Sequence, residues 1–176
     1  MSLSLQCFYE AVRMFLLKSE LETEQSLLGY SDEEIALAEQ YWSLTFPESY
    51  RLFLKHFGKA NESFNYQDWG LETLPFAKEL SREIAERNKL NLDEWFPFTE
   101  RQWYSFHSFK RGPAATENPE VMLVVEGDQG VEVYNYPSFT DWLMVKLENH
   151  LNLLISLHKP DANIQLELFE ALKLML

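Results

Sequence analysis

A single cysteine, Cys7, is all this sequence offers to redox chemistry, so no disulfide can form within the chain. That scarcity fits a reducing compartment, where thiols stay free. Basic residues are also few: Lys and Arg number 15 against 28 Asp and Glu, a formal net charge of -13 at pH 7. A chain this negative repels phosphate backbones, which argues against nucleic acid as a direct partner. Long hydrophobic runs are missing, and none approaches the ~20 apolar residues that a membrane-spanning helix needs. The N-terminus shows no basic segment ahead of an apolar core, so no signal peptide is expected. The expectation is a cytoplasmic chain with no membrane contact.

Catalytic spacings are absent too. There is no Gly-rich phosphate loop, no Gly-x-Ser-x-Gly, no paired His on a metalloprotease helix and no Cys pair. His56, His107, His150 and His158 stand apart, and the last two are about two helical turns from each other, too far for one metal. Each reads as a surface or satisfied structural histidine before it reads as a ligand. The carboxylates are spread as on a solvating face. No cofactor, no metal and no enzymatic activity are expected.

What is present is a core. At 176 residues, 46% hydrophobic and 15% aromatic, the chain is no disordered segment, and one domain over 1–176 is the default. Its acidity would attract a basic protein and speed their encounter.

The most informative stretch runs from Tyr30 to Gly58. Ser31 and Glu34 have the spacing of a capping box, with Tyr30 and Ile35 as a hydrophobic staple. Asp32, Glu33 and Glu34 suit the positive end of that helix dipole better than they suit an active site. Pro47 fits the first position of a second helix, whose Tyr50, Phe53, Leu54 and Phe57 form one apolar stripe. Arg51, Lys55 and His56 then face water, and Gly58 is expected to stop the helix in the left-handed conformation.

Around this centre the pattern predicts a first helix over Ser4–Leu28, ended by Gly29, with Cys7 as a packing residue. Asn61–Trp69, with Phe64 and Tyr66, reads as a short strand or an ordered loop. Leu74-Pro75-Phe76 punctuates the chain before a charged surface helix from Lys78 to Asn88. Strands are expected from Trp95, over Trp103–Phe109 with Tyr104 and Phe106 on one face, and over Val121–Val125, apolar enough to be covered on both sides. A breaker-rich loop fills Lys110–Pro119. Gly127–Gly130 turns the chain into a returning strand, Val131–Tyr136, which makes a β-hairpin. Ser138 and Asp141 have the spacing of a second capping box, ahead of a stripe through Phe139, Leu143, Leu147, Leu151 and Leu154. Asp161 should cap a last helix through Met175. The first and last helices are expected to pack on each other or on a second copy, the latter giving a homodimer.

Five tryptophans are many for this length. Trp42 and Trp142 fall on helix stripes and read as core. Trp69 and Trp103 lie beside Asp68, Glu72, Glu100 and Tyr104. Aromatic anchors ringed by acids suit a hot spot for a basic partner, although the same rings could plug the open ends of a small sheet. With the loop acids Glu117 and Asp128, the candidate partner-binding set is Asp68, Trp69, Glu72, Trp103, Tyr104, Glu117 and Asp128.

Phe46-Pro47-Glu48-Ser49-Tyr50-Arg51-Leu52-Phe53-Leu54, followed by Phe57-Gly58, resembles the Leu-Pro-x-x-Tyr-x-x-Phe-Leu corner of the SUKH superfamily, which includes the yeast cell-wall-assembly regulators. Trp95-Phe96-Pro97-Phe98 looks like the opening of that family's sheet. Ser138-Phe139-Thr140-Asp141-Trp142-Leu143 looks like its closing helix. The likeness covers Ser31 to His150, leaving 1–29 and 160–176 as helical extensions. Thr99-Glu100-Arg101-Gln102-Trp103 stands where family members often carry a Gly/Asp-rich run, so that loop is expected to differ. The resemblance implies an α+β fold: N-terminal helices, a twisted and mostly antiparallel sheet, and C-terminal helices packed on it. Many bacterial members look like immunity proteins that neutralise a toxin by occlusion, so it implies a non-enzymatic immunity-type protein with a cognate toxin or other basic protein as partner. The alternative is an intracellular protein-binding scaffold or regulator like the cell-wall-assembly members.

Overall fold

The computed structural model describes residues 4–59, 69–111 and 117–176. Within them lie α1 (Leu5–Lys18), α2 (Asp32–Trp42), α3 (Glu48–Phe57), a 3₁₀ turn (Leu71–Thr73), α4 (Leu74–Asn88), β1 (Trp95–Arg101), β2 (Ser105–Lys110), β3 (Val121–Gly127), β4 (Gly130–Tyr136), α5 (Phe139–Ser156) and α6 (Ala162–Met175). The fold is α+β. The four strands form an antiparallel meander in the order β1-β2-β3-β4.

Local chemistry explains the helix starts. The Ser31 hydroxyl accepts from the Glu34 amide at 3.2 Å and the Glu34 carboxylate accepts from the Ser31 amide at 2.8 Å, so the capping box closes. Pro47 sits one position earlier than expected, at the N-cap of α3, with extended backbone (φ -56°, ψ 147°). A proline there still sacrifices no helical hydrogen bond. Ser138 caps α5, but Asp141 makes only half a box. Its carboxylate is one methylene shorter than that of Glu and takes the Ser138 hydroxyl at 2.6 Å instead of the backbone amide. Asp161 occupies the N-cap of α6 without a side-chain bond.

Both faces of the sheet are covered over β1 to β3, as the apolar run of β3 implied, while β4 is largely exposed. One face packs Phe96, Phe98, Phe109 and Val121 into the main core with α3 and α5. The other packs Phe106, Met122 and Val124 against Leu80 and Ile84 of α4. The expected surface helix is therefore longer than Lys78–Asn88 and buries an apolar face. The centre of the main core is aromatic. Tyr50 lies 5.2 Å from Phe109 and 5.4 Å from Phe98, Phe53 lies 5.7 Å from Phe139 and Trp142, and Trp142 lies 5.1 Å from Phe98. Such tilted and edge-on pairs add to what area burial contributes.

The α2–α3 corner is pinned by one carboxylate. Glu39 accepts from the Phe46 amide at 2.7 Å and from the Arg51 guanidinium at 2.9 and 3.0 Å. Arg51 thus bridges helices instead of facing water. His56 is half-buried and stacks on Tyr9 at 6.0 Å, while Lys55 is exposed as expected. Gly58 ends α3 with ordinary right-handed backbone (φ -72°). Its lack of a side chain matters for another reason. A Cβ there would lie 2.7 Å from the Leu54 carbonyl oxygen and 2.8 Å from the Tyr30 ring.

The terminal helices pack together. Phe15 of α1 meets Phe169 of α6 at 5.6 Å, and the Gln165 amide donates to the Ser19 carbonyl at 3.0 Å. Helix α1 stops at Lys18, far short of Leu28, because the Ser19, Glu20 and Glu22 amides turn back onto its last carbonyls and Glu20 turns left-handed (φ 56°). Gly29 has no part in that ending. It lies where the chain crosses α3 so closely that a Cβ would sit 1.6 Å from the Lys55 carbonyl oxygen. Cys7 is exposed, so it is no packing residue of the core. Trp142 is fully buried, whereas Trp42 is half-buried, edge-on to Phe96 at 5.9 Å and covered by the Lys78 ammonium at 4.6 Å. Phe64 and Tyr66, and with them the question of a strand before Trp69, lie outside the described residues. So do the breakers Gly112 and Pro113.

Candidate functional site

A meander places alternate turns at the same end of its sheet. The β1–β2 turn, Gln102-Trp103-Tyr104, and the β3–β4 turn, Asp128-Gln129, therefore share one end. The Glu126 amide donates to the Tyr104 carbonyl at 2.7 Å and ties the two hairpins together there. Trp103, Tyr104 and Asp128 are thus brought together.

Trp103 does not lie in a strand. Gln102 (φ 49°) and Trp103 (φ 63°) are both left-handed, and the Tyr104 amide donates back to the Arg101 carbonyl at 3.2 Å. That is the pattern of a type I′ turn, which ordinarily takes Asn-Gly because side chains disfavour positive φ. A tryptophan held in this conformation at 60% exposure stores strain that burial does not repay. Strain of this kind gathers at functional sites. Next to it, Tyr104 is 37% exposed, and further along β4, level with Phe106 and His107 of β2, Val133 and Tyr134 are 44% and 50% exposed. Sequence reading missed these last two, because β4 is exposed on both faces and shows no usable alternation.

Two carboxylates lie on β3 and β4. Glu126 is held by Arg87 at 2.7 and 3.1 Å and by Asn88 at 2.7 Å, and the Arg87 bond keeps its carboxyl below the usual range. Glu132 accepts from the Tyr134 hydroxyl, which raises that phenol's pKa. Behind the site, under α5, the ring of His107 is buried 5.7 Å from Trp142, its Nδ1 2.9 Å from the Thr99 hydroxyl. Burial pushes His107 well down, with the Lys146 charge adding to the effect. Burial, then the Arg101 charge, lowers Lys146 to about 8.

The other expected site residues fall elsewhere. Trp69 is 5% exposed and packs edge-on against Phe53 at 5.3 Å, so it is a core residue and presents no anchor to a partner. The ring lies between helices, 6.3 Å from Trp142 of α5 as well as against Phe53 of α3. The Glu72 carboxylate accepts from the Tyr30 hydroxyl, which in turn accepts from the Leu71 amide at 3.0 Å. Glu72 therefore fastens the 3₁₀ turn to the α2 entrance. Glu117 lies at the opposite end of the sheet, where its carbonyl accepts from the Ser49 amide at 2.9 Å and it borders a cleft of about 950 Å³ with Glu48, Asp141 and Lys173. Asp68 lies outside the described residues.

Chemically, the hairpin end offers the exposed Trp103 and Tyr104 rings on a short turn, with Asp128 in the neighbouring turn. Among the described residues no cluster of three or more His, Cys, Asp or Glu is placed to hold a metal ion, and no helix is long and apolar enough to cross a membrane.

The capped α2–α3 corner, the antiparallel meander and the closing α5 define an α+β domain of the kind the Phe-Pro-Glu corner implied. Residues 29–144, more than half of the chain, match the model of the SMI1/KNR4 family (SUKH-1), and the chain belongs to that family. No curated protein and no solved structure matches it.

Proposed function

We propose that this protein is a non-enzymatic, immunity-type protein of a reducing cytoplasm that binds a cognate basic toxin and neutralises it by occlusion. The observation that carries the reading is the strained, exposed Trp103 at the hairpin end, flanked by Tyr104 and Asp128 in a protein of net charge -13. Exposed rings at the centre of a patch supply the desolvated anchors that hold complexes together, and rim acids speed the encounter with a basic surface. Family membership supports a protein partner. A scaffold or regulator of the cell-wall-assembly kind would use the same surface on a different partner.

The test is the product of the gene adjacent to this protein's own, which this reading expects to be a toxin. Purified protein should bind it stoichiometrically and abolish its activity, and Trp103→Ala should release it faster. If the adjacent gene product neither binds nor is inhibited, the regulator reading takes its place.

A further inference from the structure

The two edges of the sheet are finished differently. The β1 edge carries Pro97, which has no N–H to donate, and a register shift between Pro97 and Thr99. Prolines and bulges blunt a sheet edge against added strands. The β4 edge has neither. It pairs with β3 in unbroken register from Val121↔Tyr136 to Gly127↔Gly130, contains no Pro or Lys, and is exposed at every residue except the half-buried Val131 and Tyr136.

Its hydrogen-bonding pattern follows from the turn. A two-residue turn makes Gly127↔Gly130 a hydrogen-bonded pair, so Glu132, Tyr134 and Tyr136 direct their backbone groups at β3. Val131, Val133 and Asn135 then direct theirs outward. No backbone bond joins those three residues to another described part of the chain. Val133 offers an exposed apolar side chain on one face of the edge and Tyr134 an exposed ring on the other, while Val131 and Tyr136 pack against the two cores.

We propose that β4 is a docking edge that takes an extended, basic segment of the partner protein as a fifth strand. The inference rests on the protein-binding reading above and names the element of the partner that is recognised. Charge selects the occupant. Glu132 lies within the strand and Asp128 in its turn, so Lys or Arg of an added strand would face carboxylates, with the Tyr134 ring beside them to stack a cation. A second copy would bring another -13 and be repelled. The edge also starts at the Asp128 turn, so it is continuous with the Trp103 end. Strand addition supplies affinity through backbone bonds and specificity through alternate side chains.

A short peptide alternating Lys and Val, blocked at both ends, is the probe, and a peptide of equal charge with Pro in place of Val is its control. Titration into the intact protein, followed by amide NMR and hydrogen exchange, should show saturable binding and new protection of the Val131, Val133 and Asn135 amides. Val133→Pro removes an outward N–H while leaving the β3 ladder whole, and should weaken the probe about tenfold or more. Val133→Lys, which keeps the backbone and adds a like charge, should weaken it as well and serves if the proline variant does not fold. Equal binding of the control peptide would overturn the proposal, since charge alone would then explain it. So would a concentration-dependent dimer that protects the same amides without peptide. The failures stay separable because the probe readout needs no toxin: a gene neighbour that does not bind leaves the peptide result standing, and unprotected β4 amides leave the toxin assay standing.

Discussion

Trp103 pays twice for its position: its backbone is left-handed and its ring is in water. A residue with a Cβ costs roughly 1–2 kcal/mol in that conformation, whereas glycine costs little. Trp103→Gly should therefore stabilise the fold by about 1 kcal/mol while weakening partner binding, opposite signs from one substitution. A urea titration reads the first effect, and a lowered midpoint would mean that the ring packs on its neighbours instead of serving a partner. Phe53 is the contrasting case. It is fully buried among Tyr50, Phe57, Trp69, Phe139 and Trp142, so Phe53→Ala should cost about 3–5 kcal/mol, and a loss below ~1 kcal/mol would contradict its place in the core. His107 shows how burial becomes pH dependence. Its pKa lies well below 6.5 in the folded protein, so on acidification the unfolded chain takes up a proton that the folded chain refuses. Stability from this residue is present above pH ~6.5 and is lost as the pH falls below it. His56 and His150 are shifted the same way by burial. Tm should drop from about pH 7 to about pH 5, and His107→Gln should flatten that slope. An unchanged slope would show that other groups govern it.

At the scale of elements, the α2–α3 corner depends on a half-buried carboxylate with two kinds of partner. Removing it leaves the Phe46 amide and the Arg51 guanidinium without their acceptor. Glu39→Ala should destabilise by about 1–3 kcal/mol, the range for orphaning buried donors. Guanidinium denaturation measures it, and a change within ±0.5 kcal/mol would mean that water replaces the carboxylate freely. The helix starts were legible from sequence because a capping hydroxyl and its amide lie only three residues apart. Helix ends were less so. The end of α1 comes at Ser19 through amides that fold back on their own helix, and Gly29, the obvious stop signal, answers to a clash with α3 instead.

Over the whole molecule, charge sets the kinetics of encounter. A net charge of -13 should raise the association rate with a basic toxin. That rate should fall steeply with salt, as the Debye length shrinks from ~10 Å at 0.1 M to ~3 Å at 1 M. Reversing Asp128 should slow association, because it lies at the hairpin end, whereas reversing Glu117 at the opposite end should matter less. Stopped-flow mixing at several ionic strengths decides it. Association that ignores salt would remove the electrostatic account even if the two proteins bind.

By itself the sequence determined what short-range chemistry controls. The Ser31 and Ser138 caps, the stripe of α3 and the Gly127–Gly130 hairpin all follow from hydrogen bonds and periodicities spanning a few residues. Tertiary structure alone decided which aromatic rings are available. Trp69 and Trp103 have similar acidic and aromatic neighbours in sequence, yet one is buried against Phe53 and the other stands out on a strained turn. That difference arises because burial is set by distant segments folding over a residue, and Gln102-Trp103 carries none of the Asn or Gly that would announce a left-handed turn. The same holds for the grouping of Trp103 with Asp128 while Glu117 goes to the far end, which only the strand order of the meander could settle.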